Sequence, residues 1–220
     1  MFVGHLALAL GAKKVEPRVP LGAAVAAAYA LDLLWPILLV LGVESVRVNP
    51  GDTAFTSLAF ESYPWSHSLL LAIAWSAVGA GIARALYRSW RAGAVVGGLV
   101  LSHWLLDFVV HRPDLPLWPG GPLAGLGVWF SVPGTILLEG SLLLAGLWLY
   151  SRASTARDGT GRWALVGLVA LATAIWITQP WAPPPPSATA VAWAGFALWL
   201  FPLWAVWIER HRSPPRASPG

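Results

Sequence analysis

The sequence predicts an all-α membrane protein of about six transmembrane helices with a short N-terminal half-helix. Three observations predict it. Of 220 residues, 57% are hydrophobic and only 11% are charged, whereas about a quarter of a soluble domain is charged. Apolar segments near the roughly 20 residues needed to cross a bilayer core recur along the chain. The basic residues gather at alternate junctions between those segments, which is how membrane proteins set their orientation.

Residues 1–12 are apolar but too short to span. Lys13 and Lys14 follow that stretch instead of preceding it, the reverse of a signal peptide. It is therefore expected to be a half-helix entering the bundle, with His5 in or near the membrane. Spans are expected over 21–43, 68–87, 92–110, 132–150, 163–181 and 188–208. The Gly/Pro-rich stretch 113–134 and the proline run 183–186 read as loops. Ser66, in Pro64-Trp65-Ser66-His67-Ser68, is expected to be the N-cap of the second span. Residues 1–212 should form a single polytopic membrane domain, and 213–220 a disordered cytoplasmic tail.

Twelve of the fourteen basic residues lie at alternate junctions: Lys13, Lys14 and Arg18; Arg84, Arg88 and Arg91; Arg152, Arg157 and Arg162; Arg210, Arg212 and Arg216. Only Arg47 and Arg112 fall on the other side. The positive-inside rule then puts both termini in the cytoplasm, in a cytoplasmic (inner) membrane, with loops 44–66, 111–131 and 182–187 outward. A high sequence pI would suggest nucleic acid in a soluble protein; here the basic residues orient spans, and no nucleic-acid module is visible. Cysteine is absent. Any metal must therefore be held by His, Asp, Glu or carbonyl groups. The fifteen Trp residues fit interfacial anchoring. Glu44, Asp52 and Glu61 should be solvated in the outer loop, Asp114 should pair with Arg112, and His211 should have no role at the basic end.

Chemistry concentrates in the third span. His103, Asp107 and His111 stand at i, i+4 and i+8, which places all three on one helix face. Imidazole and carboxylate are both metal ligands and proton carriers. Pro113 ends the helix by disfavouring α geometry at Arg112. At about 1.5 Å of rise per residue, His103 lies about 18 Å and Asp107 about 24 Å above Arg91, and Asp32 about 17 Å above Leu21. Glu139 falls in the outer half of the fourth span, and His67 opens the second. An Asp at a helix centre costs about 2.5–3.5 kcal/mol, so Asp32 and Asp107 together cost on the order of 5 kcal/mol. These groups must be paired, protonated, hydrated or metal-bound. Two readings stay open on the residues alone: a convergent polar pocket, or separate hydrogen bonds that join helices.

The chain resembles the membrane-bound metal-dependent hydrolases, a prokaryotic integral-membrane family of unsettled substrate. The resemblance rests on Gly4-His5-Leu6, on Asp32, on Ser66-His67-Ser68 and on Ser102-His103-x-x-x-Asp107. It covers roughly residues 1–140. It implies metal ligands at His5, Asp32, His67, His103 and Asp107. The family often carries an Asp-x-Asp pair after the first span, whereas here Leu33, Leu34 and Trp35 follow Asp32; this favours one ion over two. Tyr63-Pro64-Trp65 replaces the basic residue common before the Ser-His-Ser.

The function expected is intramembrane, metal-dependent hydrolysis of a lipid or lipid-linked phosphate or ester. A divalent ion, zinc by preference, would be held by His67, His103 and Asp107 and completed by His5 or Asp32. Glu139 or His111 would shuttle the proton. The alternatives are a proton- or ion-coupled transporter using the same groups, or a structural membrane protein. A transporter should show discontinuous helices and matching halves. No Gly-x-Ser-x-Gly elbow is present, which argues against a serine hydrolase.

Overall fold

In a computed structural model that describes residues 1–214, Val3–Val15 form α1, which ends on Lys13 and Lys14. Cations there suit the negative end of the helix dipole. The first expected span is two helices, α2 (Leu21–Ala28) and α3 (Ala30–Val40), meeting at 57°. This corrects the continuous 21–43 helix. The bend is not a proline kink, since Pro36 lies inside α3. Tertiary contacts hold it instead. The Tyr29 hydroxyl donates to the Phe2 carbonyl at 2.9 Å, and its ring packs between Phe2 and Phe201.

A short α4 (Pro64–His67) precedes α5 (Leu69–Tyr87), followed by α6 (Trp90–Val110), α7 (Val132–Ala153), α8 (Gly159–Thr178), α9 (Ala188–Gly195) and α10 (Leu200–Arg210). A 3₁₀ turn joins α9 to α10, and the two together are long and apolar enough to cross a membrane. Oxygen side chains satisfy free N–H groups at the starts of the long helices. Ser68 caps α5, Ser89 caps α6, Ser131 caps α7 and Asp158 caps α8. The expected cap at Ser66 is thus displaced by two residues.

α5 and α6 form a tight antiparallel pair. Gly93 and Gly97, one helical turn apart, let the backbones approach: an added Cβ would meet the Ala80 carbonyl at 2.8 Å or the Ala80 Cβ at 2.9 Å. Small residues four apart are how membrane helices pack without a hydrophobic drive between them. The fold is an all-α membrane bundle, 69% helical, with five spans, or six if the bent pair counts as one. The exposed surface says the same. Only 11% of the apolar α5 window is buried, and Leu70, Ile73, Ile82 and Leu86 point outward. Water would penalise that surface; lipid does not. Trp35, Trp104, Trp129 and Trp176 are buried, however, so these four are packing groups and not interfacial anchors.

The two ends of the bundle differ. At one end Lys13 pairs with Glu209 at 2.6 Å, Arg91 donates to the Val15 carbonyl and Arg212 to the Ser154 carbonyl. The basic junctions therefore share one end. There β5 (Thr155–Ala156) pairs with β6 (Arg212–Ser213), so the expected disordered tail is ordered at Ser213; residues 215–220 lie outside the described residues. At the opposite end the two longer loops fold into ribbons, β1 (Ser45–Val48) with β2 (Leu58–Ser62) and β3 (Leu115–Pro116) with β4 (Leu123–Ala124). They interlock through Phe55 N–H to the Trp129 carbonyl and Arg112 to Asp52, and Leu70 N–H of α5 donates to the Leu117 carbonyl.

Candidate metal centre

The helical period of α6 turns His103 and Asp107 inward, and the surrounding elements supply the rest. α1 brings His5, whose ring stacks on His103 with centroids 3.8 Å apart and planes 6° from parallel. α3, just past the bend, brings Asp32. α4 ends on His67, where the chain turns into α5. His103 and His5 are fully buried at the side chain, Asp107 and His67 nearly so, and Asp32 is 26% exposed.

The distances define a compact set. His67 Nε2 lies 3.4 Å from Asp32 Oδ1 and 3.8 Å from Asp107 Oδ2. His103 Nε2 lies 3.6 Å from Asp32 Oδ1 and 3.2 Å from Asp107 Oδ2. Ligand atoms about 2.0–2.1 Å from one ion at tetrahedral angles lie about 3.3–3.4 Å apart. All four separations fall near that value. Two groups, His5–His103–Asp107 and Asp32–His67–His103, each bring their ligand atoms within 4.8 Å of one another and share His103.

Hydrogen bonds assign the tautomers. His103 Nδ1 is 2.8 Å from the Ala28 carbonyl. A carbonyl only accepts, so Nδ1 carries a proton, and in the neutral ring Nε2 would present a lone pair. That nitrogen faces two carboxylates and has no hydrogen-bond partner, although it is buried. Donor atoms of one kind gathered without a cation repel. The set fits a divalent ion, whose charge two carboxylates balance, and imidazole with carboxylate suits zinc. His5 Nε2 lies 3.1 Å from Asp107 Oδ1, the oxygen turned from the other ligands. The Met1 α-amino group also pairs with that oxygen. His5 thus approaches Asp107 from the Oδ1 side, within the His5–His103–Asp107 group.

Around this set lies a supporting layer. His111 Nδ1 is 3.0 Å from Asp114 Oδ1, which leaves His111 Nε2 facing Asp107 Oδ2 at 4.0 Å. Burial, then the nearby Asp114 carboxylate, holds the Tyr63 phenol well above its usual value; it stays protonated and donates to Asp114 at 3.0 Å. Asp114 pairs with Arg112, as expected, but also with His111. Asp52 pairs with Arg112 through a side chain only 7% exposed, Glu61 remains exposed and pairs with Arg47, and His211 pairs with Asp158. Glu44, expected in solvent, is buried and bonded to Ser66, whose hydroxyl contacts His67 Nδ1 at 2.7 Å.

Glu139 stands apart. Its Oε2 accepts from Phe2 and Gly4 N–H, capping the start of α1, while its Oε1 has no partner. It makes no direct contact with the His/Asp set among the contacts of the described residues. In that layer the sequence announced Ser66 only as a cap, Asp114 only as the partner of Arg112, and gave Glu44 and Tyr63 no role at the site. For Asp114 the His111-x-x-Asp114 spacing was a signal; for Glu44 there was none, because its partner is 22 residues away. No family model, curated protein or solved structure was found that matches this chain.

Proposed function

We propose that this protein is an intramembrane metal-dependent hydrolase of the kind its sequence resembles, acting on a lipid or lipid-linked phosphate or ester. The observation that carries the reading is His103 Nε2, buried without a hydrogen-bond partner between the Asp32 and Asp107 carboxylates. His67, His103, Asp32 and Asp107 would hold the ion. A bound zinc would polarise a phosphoryl or carbonyl oxygen and lower the pKa of water at the site toward about 7. His5 holds Asp107. His111 moves the proton at Nε2, with Asp114 fixing its other nitrogen, and this favours His111 over Glu139 for that role. An apolar groove lined by Ala30, Leu31, Leu34, Trp75 and Val78 suits an acyl chain.

The gathering of the basic junctions at one end of the bundle supports cytoplasmic termini and an inner-membrane location. The test is elemental analysis of purified protein. About one equivalent of zinc in the wild type and none in His103→Ala supports the site; equal metal in both removes it. A second reading, an ion-coupled transporter, is favoured by one observation, the discontinuous first span beside buried acids. Proton flux in proteoliposomes, lost in Asp32→Asn, would select it over hydrolysis.

A further inference from the structure

Glu44 is a carboxylate buried among loop residues, and nothing in the proposed chemistry uses it. Its Oε1 accepts two backbone N–H groups, from Trp65 and Ser66, each at 2.8 Å. Its Oε2 lies 2.6 Å from Ser66 Oγ, which lies 2.7 Å from His67 Nδ1. Glu44 and Ser66 are 4% and 0% exposed, so water does not compete for these bonds. Every proton in the chain has a forced direction. The carboxylate accepts, so the Ser66 hydroxyl donates to it; the alternative acceptor, the Tyr63 carbonyl, is farther at 3.4 Å. A hydroxyl has one proton. Toward His67 the oxygen can then only accept. His67 Nδ1 must carry a hydrogen, and in the neutral ring Nε2 is then bare toward Asp32 and Asp107.

We propose that Glu44 and Ser66 are positioning residues that fix His67 as the Nδ1–H tautomer and so keep its Nε2 lone pair turned on the metal centre. The proposal rests on the metal-centre reading for its purpose, but the tautomer can be measured without metal. Partners of this kind orient a ligating imidazole and raise its basicity, and their loss typically costs about 10–100-fold in metal affinity. Glu44 also fixes where the ring sits. It ties the chain leaving the first span to the two residues that precede His67.

Glu44→Gln makes the sharpest test because it keeps shape and reverses the chain. The amide oxygen replaces Oε1 and still accepts from Trp65 and Ser66 N–H. The amide NH₂ replaces Oε2 and donates to Ser66 Oγ. The Ser66 proton then turns to His67 Nδ1, the nearer acceptor at 2.7 Å against 3.4 Å for the Tyr63 carbonyl, and the imidazole proton moves to Nε2, against the site. In metal-free, detergent-purified full-length protein, ¹⁵N shifts of the His67 ring should report Nδ1–H in the wild type and Nε2–H in Glu44→Gln. Zinc affinity, measured by chelator competition, should fall about 10–100-fold in Glu44→Gln and Ser66→Ala. Glu61→Gln, on the exposed ribbon, should match the wild type. An unchanged tautomer in Glu44→Gln overturns the proposal, as does wild-type zinc affinity in both Glu44→Gln and Ser66→Ala. If the tautomer switches but the wild type binds no zinc, the positioning stands and the metal centre falls.

Discussion

Adding zinc to metal-free protein should raise its melting temperature, and His103→Ala should abolish the increment. His103 Nε2 supplies two of the four ligand separations near tetrahedral value, those to Asp32 and Asp107. Truncating it removes both and leaves two carboxylates and one imidazole. A ligand that binds only the folded state at 100 times its dissociation constant stabilises by about 2.7 kcal/mol. For a chain of this size each kcal/mol moves the midpoint by about 2–4 °C. The wild type should therefore gain about 5–11 °C. His103 is fully buried, so the variant also loses baseline stability through its cavity, on the order of 2–5 kcal/mol. The comparison is therefore the zinc increment within each protein, read by intrinsic Trp fluorescence, and not the absolute midpoints. Equal increments in the two proteins, or none in the wild type, would refute the reasoning.

Reporters fused after residues 50 and 120 should read as external and those after 157 and 216 as internal; a cytoplasmic 111–131 loop would reverse the orientation. Asp107→Leu, which removes an intramembrane charge costing about 2.5–3.5 kcal/mol on insertion, should leave membrane insertion intact in a protease-protection assay while abolishing zinc retention. Unfolding with zinc retained would make Asp107 a structural partner instead. At the basic end, hydrogen bonds from His211 and from Gly161 N–H hold the Asp158 carboxyl below its ordinary value of 3.8. A depressed carboxyl contributes stability above its ordinary value and loses it as pH falls through the folded one. His211→Ala should therefore move the Asp158 midpoint upward in an NMR titration, and an unmoved midpoint would remove that contact.

The spans were legible because length and apolarity are local properties, and the His103, Asp107 and His111 face was legible because helical periodicity is local too. The bend at Tyr29 was not. No glycine or proline stands at that residue, and what holds it comes from Phe2, Phe201 and His103, far away in sequence. The ribbons carried a readable alternation in Val46-Arg47-Val48, which the expectation of a solvated loop obscured. That same expectation misplaced Glu44: a charged residue in a loop is ordinarily wet, and only the fold shows three hydrogen-bond donors gathered around it. His5 was legible only through family resemblance, since a single histidine in a short apolar segment has no period of its own.

The bend has a thermodynamic consequence. In a straight helix the Ala28 carbonyl would accept the N–H of Asp32, four residues on. Here it accepts His103 Nδ1 instead. The bend turns the Ala28 carbonyl from the helix to the His103 ring, so the curvature of the first span and the orientation of that ring are coupled. Linkage between two such equilibria is reciprocal. Anything that fastens His103 from its Nε2 side holds the span bent, and anything that straightens the span loosens the ring. The same residues that fix the shape of this membrane segment thus set how firmly its buried imidazole is held.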